Sequence, residues 1–377
     1  MKKNILFISG TRADFGKIKP LINIVKKNSS IFNYNIFVTG MHLLPEYGLT
    51  INEFKKSGFN NIHPFSNYGD NQSLDMDIAL SNTVKGLSNY IKKYPHDLIV
   101  VHGDRLEALS GAIVGSFNNI LVAHIEGGEV SGTLDELIRH SVTKLSHLHF
   151  VSNKKAKNNI IQLGEREKNI FIIGSPETDV MLSNNLPAKK EALKKYDIPF
   201  SNYYLFIYHS VTSELNQLKN NVRELVDGII ASEKNYIVIQ SNNDSGSDII
   251  RQEYERFGQY SDRIKILPSI RFEYFLAILK FSKGIIGNSS SGVKEAPVFG
   301  VPTINIGTRQ YNRTDNRHII HINELKEELL HVLKKSMNKY DPIKTISKGK
   351  SAQLFIDVLI KDFAWKISRQ KYFVEMK

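Results

Sequence analysis

Ile5-Leu-Phe-Ile-Ser-Gly-Thr-Arg-Ala-Asp-Phe-Gly16 is the stretch that best indicates the fold of this chain of 377 residues. Its first four residues are apolar, as in a strand buried on both faces, and helical periodicity begins directly after Gly10. A glycine at this junction lets the backbone turn sharply, and the turn presents backbone N–H groups and Arg12 to an anion. The stretch therefore predicts the strand, turn and helix that open a parallel α/β sheet.

Further apolar runs alternate with longer segments of helical periodicity, a pattern typical of βαβ units. The candidate strands are 4–9, 35–39, 97–101, 119–124, 147–151 and 169–173, followed by 203–208, 235–240, 263–267, 283–287 and 301–306. A break between Pro176 and Asn202 divides them into two series and predicts two sheets.

We therefore expect an α/β protein with two Rossmann-like domains that face a central cleft. The predicted N-terminal domain covers 1–183 and the C-terminal domain covers 184–363. The tail, 364–377, is predicted to be an amphipathic helix that packs back onto the N-terminal domain.

The composition excludes several classes of protein. A hydrophobic fraction of 41% and a charged fraction of 23% are typical of a globular chain, and no apolar run approaches the ~18 residues of a membrane span. The chain has no cysteine, which excludes disulfides and cysteine metal sites. Its net charge of +12 comes from scattered lysines without interleaved aromatic residues. We expect a cytoplasmic protein with no nucleic-acid or membrane partner.

Asp104 and Arg105 follow the candidate strand 97–101 and a glycine. Open α/β sheets bind their ligands at this edge, outside the carboxyl ends of the strands. Asp104 therefore either caps the next helix or faces the ligand site.

A further carboxylate follows the next strand, in His124-Ile-Glu-Gly-Gly-Glu129. Alternation along the strand end puts His124 and Glu126 on the same side. The glycine pair after Glu126 allows close approach of a substrate. Glu126 is therefore a candidate for chemistry at the same edge as Asp104.

Thr133-Leu-Asp-Glu136 predicts a capping box that opens a helix. Asp135 and Arg139 are four residues apart and share one face of that helix. They form either an ordinary surface ion pair or, with Asp104 and Glu126, part of a cluster of three carboxylates.

Four histidines raise the question of a metal site: His124, His140, His147 and His149. Their spacings match no zinc signature. We expect packing and hydrogen-bonding roles, and no metal.

In the second series, Gly284-Ile-Ile-Gly-Asn-Ser-Ser-Ser-Gly292 predicts a strand followed by a helix start. Backbone N–H groups and serine hydroxyls there suit a phosphate, while Glu295 suits ribose hydroxyls. The alternative is that one serine only caps the helix. Further strand ends at 208–212, 241–244 and 307–310 are expected at the same edge.

Taken together, these segments resemble the hydrolysing UDP-N-acetylglucosamine 2-epimerases, which include bacterial sialic acid enzymes of the NeuC type and half of an animal bifunctional enzyme. The likeness spans about residues 1–312. The resembling segments are 10–15, 102–107, 124–129, 135–140, 174–176, 288–290 and 307–310. The non-hydrolysing epimerases have Pro-Glu in place of Ala13-Asp14 and lack the Gly-Gly-Glu after the strand carboxylate.

The resemblance implies a GT-B-like fold, UDP-N-acetylglucosamine and UDP as ligands, no cofactor, and a homodimer or homotetramer. It implies four groups of site residues. Asp104, Glu126 and Asp135 match the carboxylates required for chemistry, with Arg139 and His209 beside them. Arg12 and Arg105 match residues near the diphosphate, Asn242 and Phe275 match those at the uracil end, and Ser289, Ser290 and Glu295 match phosphate and ribose contacts. Arg309 adds a further cation for the UDP-sugar.

The implied reaction is an anti elimination of UDP that gives 2-acetamidoglucal, followed by addition of water to give N-acetylmannosamine. Asp104 and Asp135 are assigned to proton transfer, and Glu126 to water or to the glucal. Two alternatives stay open: the same reaction on UDP-2,4-diacetamido-trideoxyglucose, and a GT-B glycosyltransferase that needs an acceptor.

Overall fold

The computed structural model describes residues 2–68, 75–131, 134–242, 244–311, 313, 316–335, 337–344 and 349–375. The chain divides into two compact units. The first unit comprises Met1–Glu129, Asp135–Ser183 and Thr345–Lys377, and the second comprises Val130–Leu134 and Asn184–Lys344. Each unit contains one parallel sheet with helices packed against it, which confirms the predicted α/β class with two Rossmann-like sheets.

The sheet of the first unit has seven parallel strands. They are β1 (Lys3–Ser9), β2 (Phe32–Val38), β3 (Ile62–Pro64), β4 (Leu98–His102), β5 (Leu121–Ile125), β6 (Leu148–Val151) and β7 (Ile170–Ile172). Their order is β3-β2-β1-β4-β5-β6-β7. Strands β1 to β3 therefore extend the sheet in one direction and β4 to β7 extend it in the other. The point between β1 and β4 where the direction reverses is where open α/β sheets bind ligands.

Side-chain alternation in β1 gives this sheet two buried faces. Ile5 and Phe7 belong to one apolar cluster, and Leu6 and Ile8 belong to another.

The helices of the first unit are α1 (Arg12–Lys27), α2 (Asn52–Lys56), α3 (Met76–Lys93), α4 (Leu106–Phe117), α5 (Leu134–Leu145), α6 (Lys154–Gln162) and α7 (Glu177–Met181), with α14 (Ser351–Leu359) and α15 (Asp362–Trp365) from the end of the chain.

The sheet of the second unit has six parallel strands. They are β8 (Tyr204–Ile207), β9 (Tyr236–Ile239), β10 (Ile264–Leu267), β11 (Ile285–Gly287), β12 (Thr303–Ile306) and β13 (Ile319–Ile322). Their order, β10-β9-β8-β11-β12-β13, turns round between β8 and β11. The helices are α8 (Lys189–Lys195), α9 (Leu215–Ala231), α10 (Ser247–Tyr254), α11 (Phe272–Phe281), α12 (Glu295–Val298) and α13 (Lys326–Lys334).

All eleven predicted strands are present within a few residues of their predicted bounds. The prediction missed β3 and β13, which lie at the edges of the two sheets. Edge strands are covered on fewer sides, and β3 has no fully buried residue. Neither strand is therefore a long apolar run of the kind that marks a central parallel strand.

The end of the chain returns to the first unit earlier than residue 364. Phe355, Ile356 and Leu359 of α14 belong to the same core cluster as Ile5 and Phe7. The described part of the predicted 364–377 helix differs from expectation, because α15 ends at Trp365 and residues 366–375 contain no helix. The apolar face that packs on the first sheet lies mainly in α14, and Ala364 and Ile367 of the predicted tail belong to the same cluster. Within the described ranges, every helix is too short or too polar to span a bilayer.

Candidate active site

The first turn of the first unit is organised by Asp14. Thr11 is the N-cap of α1, and its hydroxyl accepts a hydrogen bond from the Asp14 amide at 3.2 Å. The Asp14 carboxylate accepts in return from the amides of Gly10 at 2.9 Å and Thr11 at 3.2 Å, and from the Ser9 hydroxyl. Asp14 was absent from the predicted site residues, although the Thr-x-x-Asp spacing of a capping box signals it.

His42 joins this network from the end of β2. It is fully buried, with Nε2 2.9 Å from Ser9 Oγ and 3.8 Å from an Asp14 carboxylate oxygen, and Nδ1 2.6 Å from Thr50 Oγ1. Burial alone would raise the pKa of Asp14, but His42, Ser9 and a backbone amide outweigh it, so the pKa lies below its ordinary value. No local sequence pattern places His42 beside a turn that lies about thirty residues earlier.

Arg12 and Arg105, the predicted diphosphate contacts, both lie beside carboxylates. Arg12 Nη2 is 3.7 Å from Glu53 Oε1, and Arg105 Nε is 3.5 Å from Glu107 Oε2. Glu107 is buried beneath the first turn, since a Cβ on Gly10 would lie 2.4 Å from its Cδ. Burial raises the pKa of Glu107, and Arg105 opposes this. The absence of a side chain at Gly10 is therefore needed to seat Glu107.

Asp104 binds a buried arginine. Its carboxylate accepts a hydrogen bond from Nη2 of Arg139, whose side chain is 1% exposed, while 27% of the Asp104 side chain is exposed. Arg139 Nη1 also donates to the Glu129 carbonyl at 2.9 Å. Burial would lower the pKa of Arg139, but Asp104, Glu129 and Asp135 together outweigh it, so the pKa lies above its ordinary value. The alternative that Asp104 caps α4 is wrong, because the N-cap residue is Arg105.

Asp135 lies in the first turn of α5, one helical turn before Arg139. Its charge also raises the pKa of Arg139. The surface ion pair considered for these two residues is not what the structure shows, because Arg139 is buried and binds Asp104. Thr133, the cap of the predicted capping box, lies outside the described residues.

Glu126 has an unusual backbone conformation. Its φ is +60°, in the left-handed region that side chains other than glycine rarely adopt. Of the other described residues with this property, Asn119, Asp197 and Glu233 lie one or two residues beyond helix ends, where the conformation is common. Glu126 instead follows strand β5. Strain of this kind concentrates at functional sites, which supports a functional role for the side chain.

The Glu126 carboxylate is buried and held from two sides. It accepts a hydrogen bond from the Ser175 hydroxyl, and His102 Nε2 lies 3.5 Å from its other oxygen. Ser175 comes from the loop after β7, so only the folded sheet brings it to Glu126. Protein atoms already occupy the space that a side chain would need at the two glycines that follow. A Cβ on Gly128, for example, would lie 2.2 Å from the Ala156 carbonyl oxygen. The loop's own packing thus accounts for Gly128 without a substrate.

The histidines near this edge make hydrogen bonds within the first unit. His124 is fully buried, with Nε2 2.8 Å from the Gly103 carbonyl and Nδ1 3.1 Å from the Thr143 hydroxyl. Burial lowers the pKa of His124 to about 3. His147 and His149 bond to backbone groups and to Glu165. These contacts agree with the expected hydrogen-bonding roles.

In the second unit, Asn288 connects the ends of three strands. Its Oδ1 accepts from the His209 amide at 2.7 Å, and its Nδ2 donates to the His209 carbonyl at 2.8 Å. Its own carbonyl accepts from Gln310 Nε2 at 2.8 Å and from Arg309 Nη1 at 3.5 Å. Asn288 and Gln310 were absent from the predicted site residues, although both lie in the segments of family resemblance.

The structure determines which nitrogen of His209 carries the proton. The Asn242 amide donates to His209 Nδ1 at 3.2 Å, and a backbone N–H can only donate. The neutral ring therefore carries its proton on Nε2 and presents a hydrogen-bond donor. The Asn242 side chain, predicted at the uracil end, donates to Asp244 Oδ2 at 2.5 Å.

The serines after β11 sit in a short turn. Ser289 caps a three-residue 3₁₀ helix by accepting from the Ser291 amide at 3.3 Å, which agrees with the capping alternative for this residue. Glu295 is buried and accepts from Ser291 Oγ at 3.4 Å. The following helix, α12, has four residues, so the expected phosphate site rests on turn amides rather than on a long helix. Phe275 lies in α11 and is 8% exposed.

Several of the predicted residues therefore follow strands at or beside the switch point of each sheet, whereas Asn242 and Arg309 follow β9 and β12, and Phe275 lies in α11. In the first unit, Arg12, Asp104 and Glu126 follow β1, β4 and β5, which are neighbours in the sheet. In the second unit, His209 and Ser289 follow the neighbouring strands β8 and β11. The first group can move protons, and the second can donate hydrogen bonds to an anion.

Two parallel sheets with this strand order place the chain among α/β proteins of GT-B-like fold. The UDP-N-acetylglucosamine 2-epimerase of Methanocaldococcus jannaschii, solved with UDP-GlcNAc and UDP, has this fold. It matches with a TM-score of 0.76 and 22% identity, over 95% of this chain and 99% of that one.

The family described as UDP-N-acetylglucosamine 2-epimerase matches residues 25–360. The chain is 40% identical to the UDP-N-acetylglucosamine 2-epimerase of Neisseria meningitidis over 99% of both chains. It is 36% identical to polysialic acid biosynthesis protein P7 of Escherichia coli, over 85% of this chain and 82% of that one. It is 32% identical to the UDP-N,N'-diacetylbacillosamine 2-epimerase (hydrolyzing) of Legionella pneumophila over 90% of both. The chain belongs to the UDP-N-acetylglucosamine 2-epimerase family.

Proposed function

We propose that this chain is a hydrolysing UDP-N-acetylglucosamine 2-epimerase that supplies N-acetylmannosamine for sialic acid biosynthesis. It would convert UDP-N-acetylglucosamine and water into UDP and N-acetylmannosamine. Family membership supports the substrate class, and the identity to the polysialic acid biosynthesis protein supports the pathway. The observation that carries the proposal is the pair Asp104 and Glu126 on neighbouring strand ends, one bound to a buried arginine and the other held in a strained backbone.

In the proposed first step, UDP is eliminated. The C2 hydrogen of the sugar is not next to a carbonyl, so it becomes removable only as the C1–O bond breaks and positive charge develops at C1. A base takes the C2 proton, the C1–C2 double bond forms, and UDP leaves with the electron pair of the C1–O bond. We assign the base to Asp104, because its carboxylate is partly exposed and is oriented by Arg139.

In the proposed second step, water adds to the glucal. The water oxygen bonds to C1, its proton is taken up by a base, and a proton is delivered to C2 on the face opposite to the one that lost it. We assign the acid to Asp135 and the handling of water to Glu126, whose carboxylate is held by Ser175 and lies near His102. The sum is hydrolysis with inversion at C2.

The diphosphate and the uridine are assigned to the remaining residues. Arg12, Arg105 and Arg309 supply cations, and the turn at Ser289 and Ser290 supplies amide and hydroxyl donors. His209 donates through Nε2, since the Asn242 amide occupies Nδ1. Asn242, Phe275 and Glu295 are assigned to the uridine. We also expect a homodimer or homotetramer, which light scattering of the purified chain measures.

The decisive experiment is proton NMR of the enzyme with UDP-N-acetylglucosamine in D2O, without an acceptor. The expected products are free UDP and N-acetylmannosamine deuterated at C2. Accumulation of UDP-N-acetylmannosamine instead would contradict hydrolysis, and turnover that requires an added acceptor would indicate a glycosyltransferase.

The second candidate is the same reaction on UDP-N,N'-diacetylbacillosamine, the 2,4-diacetamido-trideoxy sugar nucleotide. The specific observation in its favour is 32% identity to two hydrolysing epimerases named for that substrate, from Legionella pneumophila and Campylobacter jejuni. Parallel incubations with both nucleotides separate the candidates. A kcat/KM at least tenfold higher for UDP-N-acetylglucosamine supports the first, and the reverse ratio supports the second.

A further inference from the structure

Three cationic or imidazole side chains converge on one buried carboxylate behind α5. The side chain of Glu165 is 4% exposed, and its oxygens lie 2.8 Å from Lys144 Nζ, 3.2 Å from His149 Nε2 and 2.6 Å from Lys371 Nζ. Burial would raise the pKa of Glu165, but these partners lower it to about 2. The partners come from α5, β6 and the C-terminal tail, so Glu165 joins segments that are far apart in sequence.

Lys371 does more than pair with Glu165. Its Nζ donates to the carbonyls of Ser146 at 2.6 Å, Lys144 at 2.7 Å and Thr143 at 3.4 Å. The last carbonyls of a helix have no partner within the helix, and a cation there also interacts favourably with the helix dipole. Lys371 therefore caps the C-terminus of α5 from more than two hundred residues away. His147, with Nε2 3.0 Å from the Arg369 carbonyl, holds the same tail.

The other end of α5 carries Asp135, and Arg139 lies at the middle of the helix. This helix has 12 residues, which corresponds to about 18 Å. Arg139 reaches from it to Asp104 and to the Glu129 carbonyl. A helix transmits a shift at one end to the other, and displacement of a reacting group by about 1 Å costs up to ~100-fold in rate.

We propose that Lys371 is a positioning residue for the reaction: by capping α5 and binding Glu165, it sets the place of Asp135 and of the Arg139–Asp104 pair. This inference rests on the proposed function, because it takes Asp104 and Asp135 as the groups that move protons. The residues assigned to the nucleotide in both units lie outside α5. Loss of the cap therefore lowers kcat and leaves the binding of UDP unchanged.

The absence of native cysteine allows a sharp test. Lys371→Cys removes the ammonium group, and alkylation of the single thiol with 2-bromoethylamine restores it as a thioether analogue of lysine, with bromide as the leaving group. We expect kcat for UDP release to fall about tenfold in Lys371→Cys, with KM and the Kd of UDP within twofold of the parent. Alkylation of the same sample returns kcat to at least half of the parent value.

The matched control is Lys366→Cys, treated in the same way. Lys366 lies in the same tail, but its side chain is 77% exposed and pairs only at 3.6 Å with the exposed Asp362. Its kcat should not change before or after alkylation. A folded Lys371→Cys with kcat within twofold of the parent overturns the inference, as does a loss that alkylation fails to restore.

If Lys371→Cys does not fold, Lys371→Arg and Lys371→Gln carry the test. An arginine that keeps at least half of kcat, together with a glutamine that loses more than threefold at unchanged KM, supports the inference, and equal kcat values overturn it. Asp135→Asn is assayed alongside. An active Asp135→Asn contradicts the proposed function, whereas an inactive Asp135→Asn beside a fully active Lys371→Cys overturns only the role of Lys371.

Discussion

The two units share a strand order but hold their strand ends in different ways. In both sheets the order turns round between the first and fourth strands of the unit, and the candidate residues follow those strands. At the first switch point the groups are charged: Arg139 and Glu126 are buried, and Asp104, which binds Arg139, is partly exposed. At the second, the neutral side chains of Asn288 and Gln310 tie the loops together.

This difference indicates a division of labour. Burying a charge costs desolvation energy and persists only where the charge is paired or hydrogen-bonded. In the first unit, buried or paired charges lie at the positions where the proposed mechanism moves protons. The second unit offers fixed dipoles, which bind an anion without any exchange of protons. Variants of the carboxylates in the first unit should therefore change turnover, and variants of the Asn288 network in the second unit should change affinity.

The largest effect is expected for Asp104→Asn. The amide keeps the size of the side chain but is no longer a base, so kcat should fall by about 10³-fold. The Kd of UDP, measured by titration calorimetry, should stay within threefold. Asp357→Asn, an exposed carboxylate in α14, is the control and should leave both values unchanged. A weaker Kd with normal kcat would reverse the division between the units.

Glu126→Gly separates function from stability in the first unit. The substitution removes the carboxylate, so kcat should fall by about 10²-fold. Glycine also relieves the strain at φ +60°, worth about 1 kcal/mol, which offsets the lost hydrogen bond to Ser175. The free energy of unfolding from urea titrations should therefore change by less than about 1 kcal/mol.

Asn119→Gly is the matched control for that variant, since Asn119 has φ +55° but lies after α4. It should keep full activity. If Glu126→Gly loses several kcal/mol of stability, the carboxylate is a structural anchor, and its proposed role in handling water is contradicted.

Asn288→Ala tests the second unit. It removes both hydrogen bonds between Asn288 and the His209 backbone. We expect the Kd of UDP to rise about tenfold, equivalent to ~1.4 kcal/mol, with kcat at saturating substrate within threefold. Asn235→Ala, which removes an exposed hydrogen bond to the Asn202 carbonyl in the same unit, should leave the Kd unchanged. A Kd shift of equal size in both variants would attribute the effect to general destabilisation.

The contrast between local and distant partners also explains what could be predicted from the sequence. Central parallel strands are apolar on both faces, so β1 or β4 stands out as a short apolar run, whereas the partly exposed edge strands β3 and β13 do not. Asp104 and Glu126 were found because a strand, a turn and a carboxylate lie together in sequence.

Ser175 and Lys371 were missed because only folding brings them close to their partners. Ser175 reaches Glu126 across 49 residues, and Lys371 reaches α5 across more than two hundred. For Arg139 the sequence left two alternatives open, a surface ion pair with Asp135 or a place beside the candidate carboxylates. Its burial follows from the packing of α5 on the sheet, which periodicity does not specify for a single arginine.

The smallest expected effect is a difference between the two units in the stability that they lose on acidification. Five histidines of the first unit have pKa values lowered mainly by burial, namely His63, His96, His124, His147 and His149, the third to about 3. In the unfolded chain each has a pKa near 6.5. Between these values the unfolded chain binds protons that the folded unit does not bind. The stability is therefore complete above pH 6.5 and falls as the pH decreases.

For His124 alone, the expected loss between pH 6.5 and 5.5 is about 1 kcal/mol of the free energy of unfolding. Hydrogen exchange at the two pH values, corrected for the intrinsic rate, should show lost protection in β5 and β6 but little change in β8 and β11. His124→Gln, which keeps a donor and an acceptor, should reduce the loss in β5. Equal loss of protection in both sheets would mean that the buried histidines do not distinguish the units. The loss of folding free energy on acidification would then come from titratable groups in both units.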